Sequence, residues 1–163
     1  MSEAAIALGT NLGNKQENLK QALAALVRLP GTEILRQSSV YACPPQNPPA
    51  GAAMEDFLNM AVVLQTNMSP LALLGACLGI EAAMGRVRNE RNGARIIDLD
   101  VLVFEGMKSE SFELTLPHPR SLERPFVLLP LKELYPTGRA PGLFFDAHLK
   151  EVDISQCKKV EAA

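Results

Sequence analysis

The sequence predicts an α+β fold of the ferredoxin-like, split βαβ kind: a mainly antiparallel sheet with two helices on one face and a C-terminal hairpin appended. Three observations predict it. Two stripes of helical period lie between strand-like runs, the elements follow the order strand, helix, strand, strand, helix, strand, and no linker or repeat interrupts them. The 163 residues suit a single domain, 1–163, that buries roughly 70% of the unfolded chain's surface without needing a metal or disulfide staple.

The first strand is the apolar run Ala4 to Leu8, and Gly9, Asn11, Gly13 and Asn14 read as the turn residues after it. Leu19, Ala22, Leu23, Leu26 and Val27 then form one helical stripe, which stops at Pro30-Gly31. Thr32 to Tyr41 is rich in β-branched and aromatic residues and reads as a strand closed by Cys43-Pro44-Pro45, since proline cannot extend a ladder. A proline-rich loop spans about Pro44 to Met54. Phe57 to Thr66 is apolar enough for a central strand. Ser69-Pro70 is a helix cap followed by proline at the first helical position, and Leu71, Leu74, Cys77/Leu78, Glu81 and Met84 continue as a stripe to Gly85. Glu81 breaks that stripe, so it sits either in water at a frayed end or against a polar site. Ile96 to Phe104 is a strong strand and Phe112 to Leu116 a weaker one. Phe126 to Leu134 mixes periods and reads as strand followed by a helical turn, and the chain beyond Tyr135 carries no clear pattern.

Composition excludes several classes. A net charge of −2, with a pI near 5.7, gives no general surface for nucleic acid or anionic membrane. Cys43, Cys77 and Cys157 are odd in number and far apart, which suggests neither a disulfide framework nor zinc, and points to a reducing compartment. Met1 to Thr10 lacks the features of a signal peptide, and the longest mostly apolar stretch, Leu71 to Ile80, is about half a membrane span. The expectation is a soluble cytoplasmic protein with no obligate protein partner.

The charge is unevenly placed. Four of nine arginines, Arg86, Arg88, Arg91 and Arg95, fall within ten residues, directly before Asp98-Leu99-Asp100. The two-residue strand period puts Asp98 and Asp100 on one face with their Cα atoms roughly 6.5–7 Å apart, so their side chains can converge on divalent ions. Mg²⁺ suits such a pair, because it takes one or two carboxylates and fills its other positions with water and phosphate oxygens. Arginine forks match phosphate oxygens, and together the two segments describe a polyphosphate site. A solvated charge run explains the loop alone but not its contiguity with the acids. Glycoside hydrolysis would use paired acids but leaves the arginines idle, and the chain has no tryptophan as a sugar platform. His118, fixed between Pro117 and Pro119, either meets a phosphate or caps a turn, and His148 has no supporting context. Gly9-Thr10-Asn11-Leu12-Gly13 lacks the Lys-Ser/Thr ending of a P-loop and reads as a turn at the sheet edge.

Seven segments in order resemble the 6-hydroxymethyl-7,8-dihydropterin pyrophosphokinase family. They are Gly9 to Gly13, Cys43-Pro44-Pro45, Asp56-Phe57-Leu58-Asn59, Glu81 with Gly85-Arg86-Val87-Arg88, Gly93-Ala94-Arg95 to Asp100, Pro117-His118-Pro119-Arg120, and Glu123 to Leu131. The resemblance spans about residues 4 to 136 and implies an ATP-dependent enzyme of folate biosynthesis that moves a diphosphate to a pterin alcohol and releases AMP. It further implies that Asp98 and Asp100 hold two Mg²⁺ ions with ATP. Arg86, Arg88 and Arg95 would neutralise the phosphates. Glu81, His118 and Arg124 match nucleotide-contacting positions, and Val101 and Thr115 positions that touch adenosine. Phe57 and Phe126 would sandwich the pterin, with its edge read by Asn59 and by the backbone of Cys43, Pro44 and Gln46. Asn92 stands where the family often has tryptophan, and the arginine loop is about one residue shorter than in some members. The competing readings are a non-catalytic nucleotide- or RNA-binding module of the same topology, against which the missing aromatic RNA-binding strand and low pI both count, and an inactive homologue.

Overall fold

A computed structural model of the chain describes residues 1–51, 53–87 and 93–160. The elements run β1 (Ser2–Thr10), α1 (Lys15–Val27), β2 (Thr32–Gln37), β3 (Val40–Cys43), β4 (Phe57–Thr66), α2 (Pro70–Ala83) and β5 (Asp98–Phe104). After these come β6 (Ser109–Glu110), β7 (Thr115–Leu116), α3 (Pro125–Leu134), β8 (Arg139–Ala140), β9 (Leu143–Phe144), α4 (Asp146–Leu149) and β10 (Lys158–Val160). The fold is mixed, with a mainly antiparallel sheet and four α-helices among the described residues.

The main sheet has the order β10-β3-β4-β1-β5, with β2 pairing the far end of β4. Asn14 starts α1 by accepting the Glu17 amide at 3.1 Å, and Ser69 starts α2 by accepting the Ala72 amide at 3.2 Å. Gly85, at φ +90°, supplies the left-handed turn that releases the chain from α2.

Strand alternation divides the core in two. Ile6, Leu8, Met60, Val62, Leu64, Leu99 and Val101 pack with α1 and α2, whereas Ala5, Ala61, Val63 and Val103 pack with α3 and the C-terminal hairpin β8–β9. The register shifts between Ala5/Ile6, where Leu102 is the extra residue on β5, so the alternation that serves the α1/α2 face up to Val101 restarts on the α3 face.

Several expectations are corrected. Helices cover both faces of the sheet rather than one, because 125–134, read as strand then turn, is one helix with Pro125 in its first turn and Pro130 inside it. The 32–41 strand breaks at Ser38-Ser39. There the Ser38 hydroxyl accepts the Ala61 amide at 2.9 Å in place of a ladder bond, and the Ser39 amide turns to Glu133 at 2.6 Å. On α2 the buried residues are Leu73, Cys77 and Glu81, while Leu71 and Leu78 are exposed. That helix is apolar nearly all round, so its periodicity does not define a phase and packing sets it. The 112–116 strand shrinks to β7, with Phe112 fully exposed at the tip of the β6–β7 hairpin. Cys43 pairs with Cys157 in a disulfide despite 114 residues of separation, because β10 lies beside β3 and brings the Cα atoms to 4.3 Å. No described helix is long and apolar enough to cross a membrane.

Candidate active site

One row of residues crosses three strands at the end of the sheet that α3 leaves open. Asn59 on β4 is in register with Gly9 on β1, and Gly9 with Asp98 on β5; Ala7 and Asp100 form the next pair. These residues, with Phe57, Arg95, Arg124 and Phe126, line one pocket, and Pro44 and Gln46 of the 44–56 loop close its side. Gly9 keeps the floor low: a Cβ there would sit 3.1 Å from the Asn59 Oδ1 and 3.7 Å from the Phe57 ring.

Asp98 and Asp100 share the face opposite Leu99 and Val101, as the strand period requires. Two arginines converge on Asp98. Arg86 Nη1 lies 2.7 Å from Oδ1 and Arg95 Nη1 2.9 Å from Oδ2. Arg86 also reaches Glu81 at 3.0 Å and the Ile97 carbonyl at 3.3 Å. Glu81, buried on α2, accepts the Leu99 amide at 2.7 Å, so the residue that breaks the helix stripe grips β5 between the two aspartates. Asn11 fixes the arginine loop from the other side. Its Oδ1 accepts the Arg95 amide at 2.9 Å, its own amide donates to the Arg95 carbonyl at 3.1 Å, and its Nδ2 donates to Glu55 at 3.3 Å.

Burial pushes the Asp98 carboxyl up, but Arg95 and Arg86 outweigh it and hold it below the usual carboxylate range. Burial, then the charge of Asp98, pushes Asp100 well above that range. His118, whose Nε2 lies 4.0 Å from Asp100, is lowered to about 4 by burial and then by Arg124, so it is a neutral imidazole near pH 7. The described residues contain no cluster of three or more acidic, histidine or cysteine side chains arranged to hold a metal alone. Two carboxylates on one face suit an ion that completes its shell with phosphate oxygens and water.

Phe57 and Phe126 line the same pocket as the aspartates. The Arg95 guanidinium carbon is 5.8 Å from the Phe57 ring centre, and that of Arg124 is 5.6 Å from Phe126. Asn59 is 4% exposed, and its Nδ2 has no hydrogen-bond partner among the described residues, a donor left for a ligand acceptor.

The structure thus brings together Phe57, Asn59, Arg86, Arg95, Asp98, Asp100, Arg124 and Phe126, with Glu81 buried against Arg86 and His118 beside Asp100. Val101 is buried in the α1/α2 core, so the edge strand β5 could offer a ligand only its main chain there. Thr115 lies on β7 outside the pocket lining, its hydroxyl on the Ser111 carbonyl at 3.1 Å. Cys43 is 1% exposed and bonded to Cys157, so any contact it makes also goes through backbone. Arg88 lies outside the described residues. Gly9, Asn11 and Arg120 are the additions. The first two sit in a segment the sequence presents as a simple turn, and Arg120 stands in the recognised Pro-His-Pro-Arg run as the guanidinium next to His118.

The family model of 7,8-dihydro-6-hydroxymethylpterin-pyrophosphokinase matches residues 5–136. The chain belongs to that family. Among its relatives, the 2-amino-4-hydroxy-6-hydroxymethyldihydropteridine pyrophosphokinase of Methylorubrum extorquens is 41% identical over 99% of this chain and 100% of its own length. The enzyme of the same name from Bacillus subtilis is 41% identical over 80% of this chain and 77% of its own. A crystal structure of Plasmodium falciparum HPPK-DHPS with pteroate superposes with a TM-score of 0.73 at 15% identity, covering 99% of this chain and 48% of that longer one, a likeness of fold. The family model's match ends at residue 136, before β8, β9, α4 and β10, whereas the Methylorubrum extorquens relative aligns over 99% of the chain.

Proposed function

We infer that this chain is a pyrophosphokinase of folate biosynthesis, moving the diphosphate of ATP to the hydroxymethyl oxygen of 6-hydroxymethyl-7,8-dihydropterin and releasing AMP. In that step the alcohol oxygen bonds to the β-phosphorus, the bond from that phosphorus to the oxygen bridging to the α-phosphorus breaks, AMP leaves with that oxygen, and the alcohol proton passes to solvent. The observation that carries the reading is the carboxylate pair Asp98 and Asp100, held by arginines, beside a slot walled by Phe57 and Phe126.

Asp98 and Asp100 would hold Mg²⁺, two ions with ATP in our reading, and the ions supply charge neutralisation on the phosphates. Arg86 and Arg95, with Arg88 in the adjoining loop, would bear on the same phosphates, and Arg124 and His118 on the nucleotide side. Glu81 would act on nucleotide binding through Arg86 and β5. The main chain at Val101 and the hairpin at Thr115 would meet adenosine. Asn59, with the free Nδ2, would read the pterin edge together with the backbone from Cys43 through Pro44 to Gln46. Catalysis on this account is positioning and fixed charge rather than proton transfer by a protein base.

The βαββαβ order of the first five strands and two helices, counting the broken β2 and β3 as one, supports a ferredoxin-like core for residues within a single domain, 1–163. Use of ATP and a folate precursor supports a cytoplasmic setting, a reading that no longer draws on the cysteines. A binding module without catalysis has no use for the paired aspartates. The test is AMP release by purified protein with ATP, Mg²⁺ and the pterin alcohol. Asp98→Asn and Asp100→Asn are each expected to lower the rate by on the order of 10²–10³-fold or more. Full activity in either variant removes that aspartate from the metal site.

A further inference from the structure

Two of the arginines meant for phosphate, Arg86 and Arg95, are already paired with a carboxylate. Asp98 uses both carboxylate oxygens, one for Arg86 at 2.7 Å and one for Arg95 at 2.9 Å. Arg95 is further tied by its Nε to the Gly93 carbonyl at 3.2 Å and by its backbone to Asn11, so its guanidinium rests on Asp98 in a fixed place. Arg86 is nearly buried, with its side chain 8% exposed, and has Glu81 as a second carboxylate. Among the described residues, Arg86 and Arg95 are the guanidinium groups paired with Asp98, and Arg86 also holds Glu81.

We propose that Asp98 acts as a latch that makes the site select the magnesium complex of ATP over metal-free ATP. The inference rests on the pyrophosphokinase reading of the site and adds a role for the ion pairs within it. A metal-free triphosphate must compete with a carboxylate at 2.7–2.9 Å for both guanidinium groups, and displacing that carboxylate leaves Asp98 partly buried, unpaired and facing an added polyanion. A nucleotide carrying its cation offers Asp98 a replacement partner. Asp98 transfers from arginine to metal, Arg95 is released to the phosphates, and no carboxylate is left without a cation. Arg86, which keeps Glu81, stays near its place while Arg95 makes the larger change of partner. Free ATP is thereby kept out of a site it could fill only unproductively.

Asp100 is the internal control. It sits on the same strand face, yet among the described residues it pairs with neither Arg86 nor Arg95; its carboxylate lies 4.0 Å from the His118 imidazole. Calorimetric titration of ATP into wild type, Asp98→Asn and Asp100→Asn, each with EDTA and with excess Mg²⁺, reads the latch directly. The expected result is that Asp98→Asn binds metal-free ATP about tenfold or more tightly than wild type, with Asp100→Asn gaining less than about threefold, equivalent to roughly 1.4 and 0.7 kcal/mol. Thermal melts establish that each variant is folded, and Asp98→Ser takes the place of the asparagine variant if it is not. Equal gains in the two variants would mean general charge removal and overturn the latch, as would no gain at Asp98. If wild type binds ATP with Mg²⁺ while Asp98→Asn shows no gain without it, the latch falls and the pyrophosphokinase reading stands. If wild type binds ATP under neither condition, both fall.

Discussion

The two faces of one sheet differ in what their strand ends carry. On the α1/α2 face, β1, β4 and β5 present Ile6, Leu8, Met60, Val62, Leu64, Leu99 and Val101, apolar along the strands' whole length and nearly all fully buried. On the α3 face the same strands are apolar only at one end, at Ala5, Ala61 and Val63, and give way to Gly9, Asn59, Asp98 and Asp100 at the other. One helix covers that face where two cover the first. The polar end lies at the first turn of α3, where Phe126 and Val127 line the pocket, with the closed face behind it. A binding slot is thus made by leaving one side of a well-supported sheet half covered.

The comparison predicts that substitutions on the two faces separate stability from activity. The largest effect is expected at Asp98 and Asp100, where asparagine removes catalysis by orders of magnitude while the melting temperature stays near that of wild type; a matching loss of stability would mean the aspartates are structural. Ile6→Ala, on the closed face, is expected to cost about 2–5 kcal/mol in denaturant unfolding, with kcat per folded molecule nearly intact. On the proposed assignment, Asn59→Ala should raise KM for the pterin by about 10-fold or more with little change in KM for ATP, since its Nδ2 is a buried donor in the pocket lining without a partner among the described residues. Asn11→Ala removes the acceptor of the Arg95 amide and the donor to the Glu55 carbonyl and should raise KM for ATP by several-fold, a smaller effect because the Asn11 amide still donates to the Arg95 carbonyl.

The smallest effect lies at the edge of the α3 face. Glu133 accepts the Tyr41 hydroxyl at 2.7 Å and the Ser39 amide at 2.6 Å, tying α3 to β3. Burial raises its pKa, but those hydrogen bonds prevail and hold it below the ordinary 4.5. A depressed carboxylate stabilises the fold above its unfolded pKa and loses that contribution as pH falls through the folded one. Glu133 is exposed, so solvent screening keeps the contribution small: Glu133→Gln should be less stable than wild type at pH 7 by less than about 1 kcal/mol, and the gap should close as pH falls below about 4.5. A gap independent of pH would assign the effect to packing.

The legible parts of the sequence were those whose signal is local. Phe57 to Thr66 forms β4 residue for residue, the apolar stripe from Leu19 marks α1, and the Ser69-Pro70 cap marks the start of α2. The phase of α2 was not legible, because leucine, alanine and glycine occupy every side of it. Pro130 and mixed periodicity hid α3. The Cys43–Cys157 bond, β10 and the Ser38 break depend on which strand lies beside which, a long-range property with no local trace. At the site, the aspartates and arginines were visible as chemistry out of keeping with an apolar strand. Asn11 and Gly9 were not, since a clamp on a distant loop and a floor beneath a pocket look like turn residues until the sheet is assembled. Arg120 stands in the Pro-His-Pro-Arg run without a role of its own in the sequence, because its pocket exists only once α3 is packed.

The most direct measurement is ³¹P NMR of the products formed from ATP, Mg²⁺ and 6-hydroxymethyl-7,8-dihydropterin. The account predicts AMP and pterin diphosphate in equal amounts, with no accumulation of ADP. ADP with a pterin monophosphate, or no pterin phosphate at all, would contradict it.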